Sequence, residues 1–252
     1  MKKNLANYIT LGNLLCGLLA LQWLSLGDAQ APFYAFALMG LAAVLDFFDG
    51  FTARWLGADG EMGKQLDSLA DLVSFGVVPG LIWRHYMLEM GFCSSSGFCI
   101  NQYVWMLIPI AAAWRLARFN VQSDQGPGFV GVPTPMMGLA LAAWSLIPYA
   151  LKLPSEVWID GVLNNFIYGM LGMFNQFLVW LYMPLLAAFL MVGNTRMLAF
   201  KGKLGVWHYA FLGYSVLALL VLPFAAGPLL LLGYLICSVL ANFAAKQSNS
   251  TT

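Results

Sequence analysis

The sequence predicts an all-α integral membrane protein, a polytopic helical bundle of about eight transmembrane helices. Three observations carry that expectation. Of the 252 residues, 61% are hydrophobic and only 9% are charged, against about 25% charged in a soluble domain. The mean hydropathy is +0.76. The apolar stretches approach the roughly 20 residues of a membrane-spanning helix, not the roughly ten alternating residues of a barrel strand. The same composition excludes intrinsic disorder, which needs low hydrophobicity and high charge. With a net charge of +1 and no basic block, nucleic acid is not an expected partner.

The first span is expected at 5–26. Met1, Lys2 and Lys3 precede it as a signal peptide's start would, but no clear small-x-small cleavage site follows, so it reads as a retained helix. The following spans are expected at 32–56, 64–86, 102–120, 133–152, 173–193, 207–226 and 228–245. Turn-forming residues separate them: Gly27-Asp28, the stretch from Gly57 to Gly63, Gly126-Pro127-Gly128, Pro154 and Gly227-Pro228. The last two segments are either two spans or a re-entrant hairpin. Residues 155–172, with Trp158, Asp160 and Tyr168, suit an interfacial helix better than a span. No linker or solenoid repeat divides the chain, which reads as one membrane domain over 1–252.

The basic residues orient this bundle. With a cytoplasmic N-terminus, Lys2, Lys3, Arg54, Lys64, Arg115, Arg118, Arg196, Lys201, Lys203 and Lys246 fall on the inner side, and only Arg84 and Lys152 fall outside. Removing Arg54, Lys64, Arg115 and Arg118, which lie within helices, leaves the bias in place.

Four of the eleven carboxylates lie close together: Asp46 and Asp49 near the inner end of the second span, Asp67 and Asp71 near the inner start of the third. Spacings of three and four put each pair on one helix face. The short loop makes the two helices antiparallel neighbours, so the four carboxylates converge. One Asp at a membrane helix centre costs roughly 2.5–3.5 kcal/mol even on a lenient scale. Divalent cations are the natural compensation, and oxygen ligands suit magnesium, manganese or calcium. The four cysteines, Cys16, Cys93, Cys99 and Cys237, lack metal-site spacing. Asp46, Asp49, Gly50, Ala53 and Arg54 share one face; so do Gly63, Asp67 and Asp71. Small residues leave room for a ligand, and Arg54 suits phosphate oxygens. Gly and Ala are also routine where membrane helices pack together.

The pattern Asp46-x-x-Asp49-Gly50-x-x-Ala53-Arg54, then eight residues, then Gly63-x-x-x-Asp67-x-x-x-Asp71, resembles without a gap the signature of the CDP-alcohol phosphotransferases. The surroundings resemble one branch, the bacterial CDP-diacylglycerol–serine O-phosphatidyltransferases. The similar segments are residues 67–79 (DSLADLVSFGVVP), 115–120 (RLARFN), 129–135 (FVGVPTP) and the N-terminal pattern Asn7-x-x-Thr10-x-x-Asn13-x-x-x-Gly17. The likeness covers 4–140, with a fainter one near 190–201. Ala6 departs from the branch, which often has Pro before the Asn.

The resemblance implies a six-helix core plus an extra pair, and transfer of the phosphatidyl group of CDP-diacylglycerol to L-serine, releasing CMP. Asp46, Asp49 and Asp67 would hold two divalent ions, magnesium or manganese, with Asp71 near the second. Asp71 would also be the general base. Gly50, Ala53, Arg54 and the Gly60 to Gly63 region would accommodate the CDP, with Asn7 and Thr10 alongside. Arg115, Arg118 and Asn120 are candidates for the serine carboxylate or a lipid phosphate, and Lys64 is a further candidate. Both arginines also suit inner-leaflet anchors. The family's usual state implies a homodimer in the bacterial inner membrane, with the active site cytoplasmic. Two alternatives stand beside this: a sibling enzyme using glycerol 3-phosphate or inositol phosphate, and a cation-coupled transporter with an acidic ion site.

Among the remaining residues, His85 and His208 lie on opposite sides of this topology and do not pair. The Trp and Tyr residues mostly suit interface belts. The loop holding Cys93 and Cys99 is expected outside, where an oxidising compartment permits a disulfide between them.

Overall fold

The computed structural model describes residues 4–57, 60–89, 101–121, 129–150, 177–197, 206–221 and 226–249. Helices α1 (Leu5–Ser25) and α2 (Ala31–Leu56) form an antiparallel hairpin along most of their length. The chain leaves α1 through Gly27, at φ 69°. Proline in the first turn starts α2, and Gly57, left-handed at φ 57°, ends it.

The third expected span is longer than 64–86. It runs from α3 (Glu61–Asp71) through a wide π-helical turn, Leu72–Val77, into α4 (Val78–Glu89). Pro79 accounts for the wide turn. It has no N–H to give the Phe75 carbonyl four residues back, and its ring would collide with that oxygen in a regular helix. α7 passes close beside this turn, and a Cβ on Gly138 would stand 2.4 Å from the Phe75 oxygen.

After a four-residue helix, α5 (Asn101–Val104), come α6 (Leu107–Val121), α7 (Thr134–Ala150), α8 (Phe177–Val192), α9 (Val206–Val221) and α10 (Ala226–Asn249). The seventh expected span, 207–226, is described over Val206–Val221, and Ala226, expected at its end, belongs to the last helix. Pro228 therefore lies inside the first turn of α10, where a missing N–H costs no helical bond. Two-residue strands, β1 (Phe129–Val130) and β2 (Arg196–Met197), pair antiparallel, Phe129 with Met197 and Val130 with Arg196. They staple the entry of α7 to the exit of α8.

This is an all-α polytopic membrane protein. Among the described residues, the helical stretches Leu5–Ser25, Ala31–Leu56, Glu61–Glu89 and Ala226–Ala244 are each long and apolar enough to cross a membrane, and Thr134–Ile147 and Leu181–Val192 are shorter apolar helices. Leu11, Leu15, Leu18, Leu41, Val44, Phe47 and Phe51 face outward, as a lipid environment favours.

One buried cluster joins α1, α2, the wide turn, α4 and α7 through Cys16, Met39, Phe75, Ile82 and Ala142. A second joins α4 and α6 to α7–α10 through Trp83, Ile108, Met137, Met191, Phe211 and Tyr234. Beside it, an apolar cavity of about 700 Å³ opens between α7, α8 and α10, lined by residues including Trp144, Tyr182 and Leu231. The expected interfacial segment 155–172, the Cys93–Cys99 loop, Lys152, Lys201 and Lys203 lie outside the described residues.

Candidate active site

The site forms where the C-terminal end of α2 and the N-terminal end of α3 meet the first turns of α1. On α1, Asn7, Thr10, Asn13 and Gly17 recur at three- and four-residue spacings and form one polar and small stripe on an otherwise apolar helix. The stripe faces the acids. Thr10 Oγ1 donates to Asp49 Oδ2 at 2.7 Å and lies 3.0 Å from the Ala6 carbonyl. Asn13 Nδ2 donates to Asp71 Oδ1 at 3.2 Å. A Cβ on Gly63 would lie 3.1 Å from Asn7 Oδ1, so the Asn7 side chain rests on that glycine.

Asp46, Asp49 and Asp67 each bring a carboxylate oxygen to within 4.8 Å of the other two. Asp49 is 5% exposed, and Oδ1 of Asp67 is buried with no hydrogen-bond partner. Converging carboxylates with an orphaned buried oxygen are a donor set that fits a hard divalent cation. Asp71 stands one turn further along α3, outside this group of three. It is 6% exposed and close enough to Asp46, Asp67 and Asp49 to share their electrostatic field.

Two arginines lie on α6, which packs against α3 and the wide turn. Arg115 is half-buried on α6. Its Nη1 donates to Thr134 Oγ1 at 2.9 Å, its Nε is buried without a partner, and its charge acts on Asp71 and Tyr234. Arg118 donates from Nη1 to the Val192 carbonyl at 3.3 Å. The β1–β2 staple fixes both partners. Gly131 makes it possible: at φ 76°, it packs so tightly that a Cβ would stand 2.4 Å from the Met191 oxygen.

Lys64 and Asn120 tie α3 to α6. Lys64 Nζ donates to the Asn120 carbonyl at 2.8 Å, and Asn120 Nδ2 donates to Ser68 Oγ at 2.9 Å. Both expected ligand-binding residues therefore brace helices here, although Asn120 Oδ1 remains buried and unpartnered. On α2, Gly50, Ala53 and Arg54 share the acidic face. The Arg54 guanidinium is exposed and folds back over Gly50, whose added Cβ would lie 3.6 Å from Nη1. Gly60 caps the start of α3 in an extended conformation.

Three neighbours of these residues were not expected from the sequence: Asn13 as a partner of Asp71, Thr134 as a partner of Arg115, and Tyr234 beside Arg115. Asn13 had a signal, its place on the stripe with Asn7 and Thr10. Tyr234 is 1% exposed on α10 and had none.

Residues 3–167 match the family described as CDP-alcohol phosphatidyltransferase. The match takes in α1 to α7 and the whole acidic cluster, and the chain belongs to the CDP-alcohol phosphatidyltransferase family. It is a membrane-embedded transferase, which removes the transporter alternative. Divalent cations are the family's cofactors. The chain is 38% identical over 138 residues to a CDP-diacylglycerol–serine O-phosphatidyltransferase of Bacillus subtilis, covering 54% of this chain and 72% of that one. A protein of the same name from Methanocaldococcus jannaschii is 32% identical over 141 residues, covering 56% and 59%. An archaetidylserine synthase of Methanothermobacter thermautotrophicus is 33% identical over 118 residues, covering 46% and 48%.

Proposed function

We propose that the protein transfers the phosphatidyl group of CDP-diacylglycerol to the hydroxyl of L-serine, releasing CMP. The observation that carries this reading is an acidic cluster of the family's pattern, with a half-buried arginine, Arg115, whose charge acts on Asp71. The relatives named for serine transfer support serine as the acceptor.

Asp46, Asp49 and Asp67 are the residues to hold two divalent ions, magnesium or manganese, with Asp71 beside them. When bound, such ions neutralise the diphosphate and stabilise the departing CMP. Thr10 keeps Asp49 turned toward the cluster. Gly50, Ala53, Gly60 and Gly63 leave room for the nucleotide, with Arg54 and Asn7 at its edge. Arg115 and Arg118 offer the serine carboxylate a paired cation on one helix face.

Serine's hydroxyl is a poor nucleophile while protonated, so a base must take its proton as the bond to phosphorus forms. Asp71 accepts that proton. The serine oxygen bonds to the phosphatidyl phosphorus, the phosphorus–oxygen bond to CMP breaks, and CMP leaves with the electron pair. The inner-side excess of Lys and Arg supports a cytoplasmic site in a bacterial inner membrane. The family resemblance supports a homodimer.

An acceptor panel tests the reading. Purified protein with CDP-diacylglycerol and manganese is given serine, glycerol 3-phosphate or inositol phosphate, and CMP release is measured. Serine alone is expected to react. Reaction with glycerol 3-phosphate or inositol phosphate and none with serine would make the chain a sibling enzyme.

A further inference from the structure

Asn13 lies about one turn beyond Thr10 on the α1 stripe, and it is fully buried. Its Nδ2 makes the 3.2 Å bond to Asp71 Oδ1, the one side-chain hydrogen bond of Asp71 among the described residues. The Asn13 backbone is held as well. Its carbonyl accepts from Ser74 Oγ at 3.1 Å, and Ser74 lies in the wide turn that follows Asp71. Gly17 lets the two segments meet, since a Cβ there would stand 2.6 Å from Ser74 Oγ. Helix α1 thus grips both the side chain of Asp71 and the backbone turn behind it.

The amide has a further property: its Oδ1 is buried with no partner. Leaving a buried acceptor unmade is unfavourable. A side chain kept for packing alone would be leucine, which has the same branched shape and no polar atoms. The amide does one thing leucine cannot. It donates to a carboxylate without bringing a positive charge, so it orients the group and leaves it able to take a proton.

We propose that Asn13 is a positioning residue for Asp71, fixing one carboxylate oxygen so that the other is presented to the hydroxyl of the incoming acceptor. This rests on Asp71 as the proton acceptor. Without the amide, the carboxylate is free to rotate about its last torsion. Misplacing a reacting group by about an ångström costs on the order of a hundredfold in rate.

The test uses the full-length protein carrying Asn13→Leu, Asn13→Ala, Asp71→Asn and each Asn13 variant combined with Asp71→Asn. Four quantities are measured: kcat, KM for serine, affinity for CDP-diacylglycerol, and the thermal midpoint. Asn13→Leu is expected to lower kcat about 10–100-fold, with donor affinity within about twofold of the parent. In the Asp71→Asn background, the same substitution is expected to cost nothing more, because its only route of action is gone. Asn13→Ala carries the test if the leucine variant does not fold. An unchanged kcat in the Asn13 variants overturns the proposal, as do equal losses in both backgrounds or a matching loss of donor affinity. Full turnover by Asp71→Asn alone would instead remove the base assignment, a separate failure.

Discussion

Thr10 and Asp49 lie 39 positions apart, and their side chains meet at 2.7 Å inside the bundle. The bond joins the first turns of α1 to the inner end of α2, and it holds one oxygen of a carboxylate that has two to offer. With Asp49 as a proposed metal ligand, a hydroxyl in that place is the outer support of a metal-binding group. Loss of such support typically costs 10–100-fold in metal affinity or activity. Thr10→Val keeps the shape and removes the donor. It is expected to raise the manganese concentration needed for half-maximal CMP release by about 10-fold or more, while Thr10→Ser stays near the parent. A metal titration of initial rates measures both.

Chelation should stop the reaction. With Asp46, Asp49 and Asp67 clustered, EDTA is expected to abolish CMP release, and added manganese or magnesium to restore it. Asp46→Asn and Asp67→Asn each remove one charge from the cluster. Both are expected to weaken metal and CDP-diacylglycerol binding together, read by titration of the purified variants.

Arg115 gives a prediction about the acceptor. Its planar head reaches Thr134 with one nitrogen and keeps a second buried without a partner. Lysine supplies the charge but not the fork. Arg115→Lys is expected to raise KM for serine about tenfold or more, with KM for CDP-diacylglycerol nearly unchanged; one lost bond to a charged group is worth about 1.5–3 kcal/mol. Initial-rate kinetics with each substrate varied in turn will show the split.

The close passage of α7 over the wide turn gives a stability prediction. A methyl group on Gly138 meets the backbone oxygen and Cα of Phe75, at 2.4 and 3.0 Å, and backbone cannot swing aside. Gly138→Ala is expected to cost about 1–3 kcal/mol. Gly40→Ala, where nothing lies within 4 Å, is expected to stay within about 0.5 kcal/mol. Thermal unfolding of the two variants in one detergent compares them.

The acids were legible because a helix repeats. Asp46 with Asp49 and Asp67 with Asp71 declare a shared face by spacing alone, and the short loop between their helices makes the faces meet. The apolar lengths declared the helices in the same way. What periodicity does not carry is contact between segments distant in the chain. Asn120 is a candidate for the serine carboxylate or a lipid phosphate, and spacing alone does not reveal that its side-chain nitrogen meets Ser68 while its backbone carbonyl takes Lys64. The β1–β2 staple joins residues more than sixty apart through two short strands with no alternating pattern. Ala226 and Gly227 lie in the last helix, not at a break, because Gly227-Pro228 signals a turn whereas proline fits a first helical turn equally well.

The wide turn from Leu72 to Val77 acts as a phase shifter between two halves of one rod. Ahead of it, Asp67 and Asp71 face α1 and α2; behind it, Ile82 and Trp83 point into two different buried clusters. Each residue of an α-helix advances the direction by roughly 100°. Deleting a single residue from this stretch would therefore swing the acids by about a quarter to a third of a turn relative to Trp83. The number of residues between Asp71 and Pro79 is thus as much a part of the proposed catalytic apparatus as the carboxylates, although nothing in that interval need ever touch a substrate.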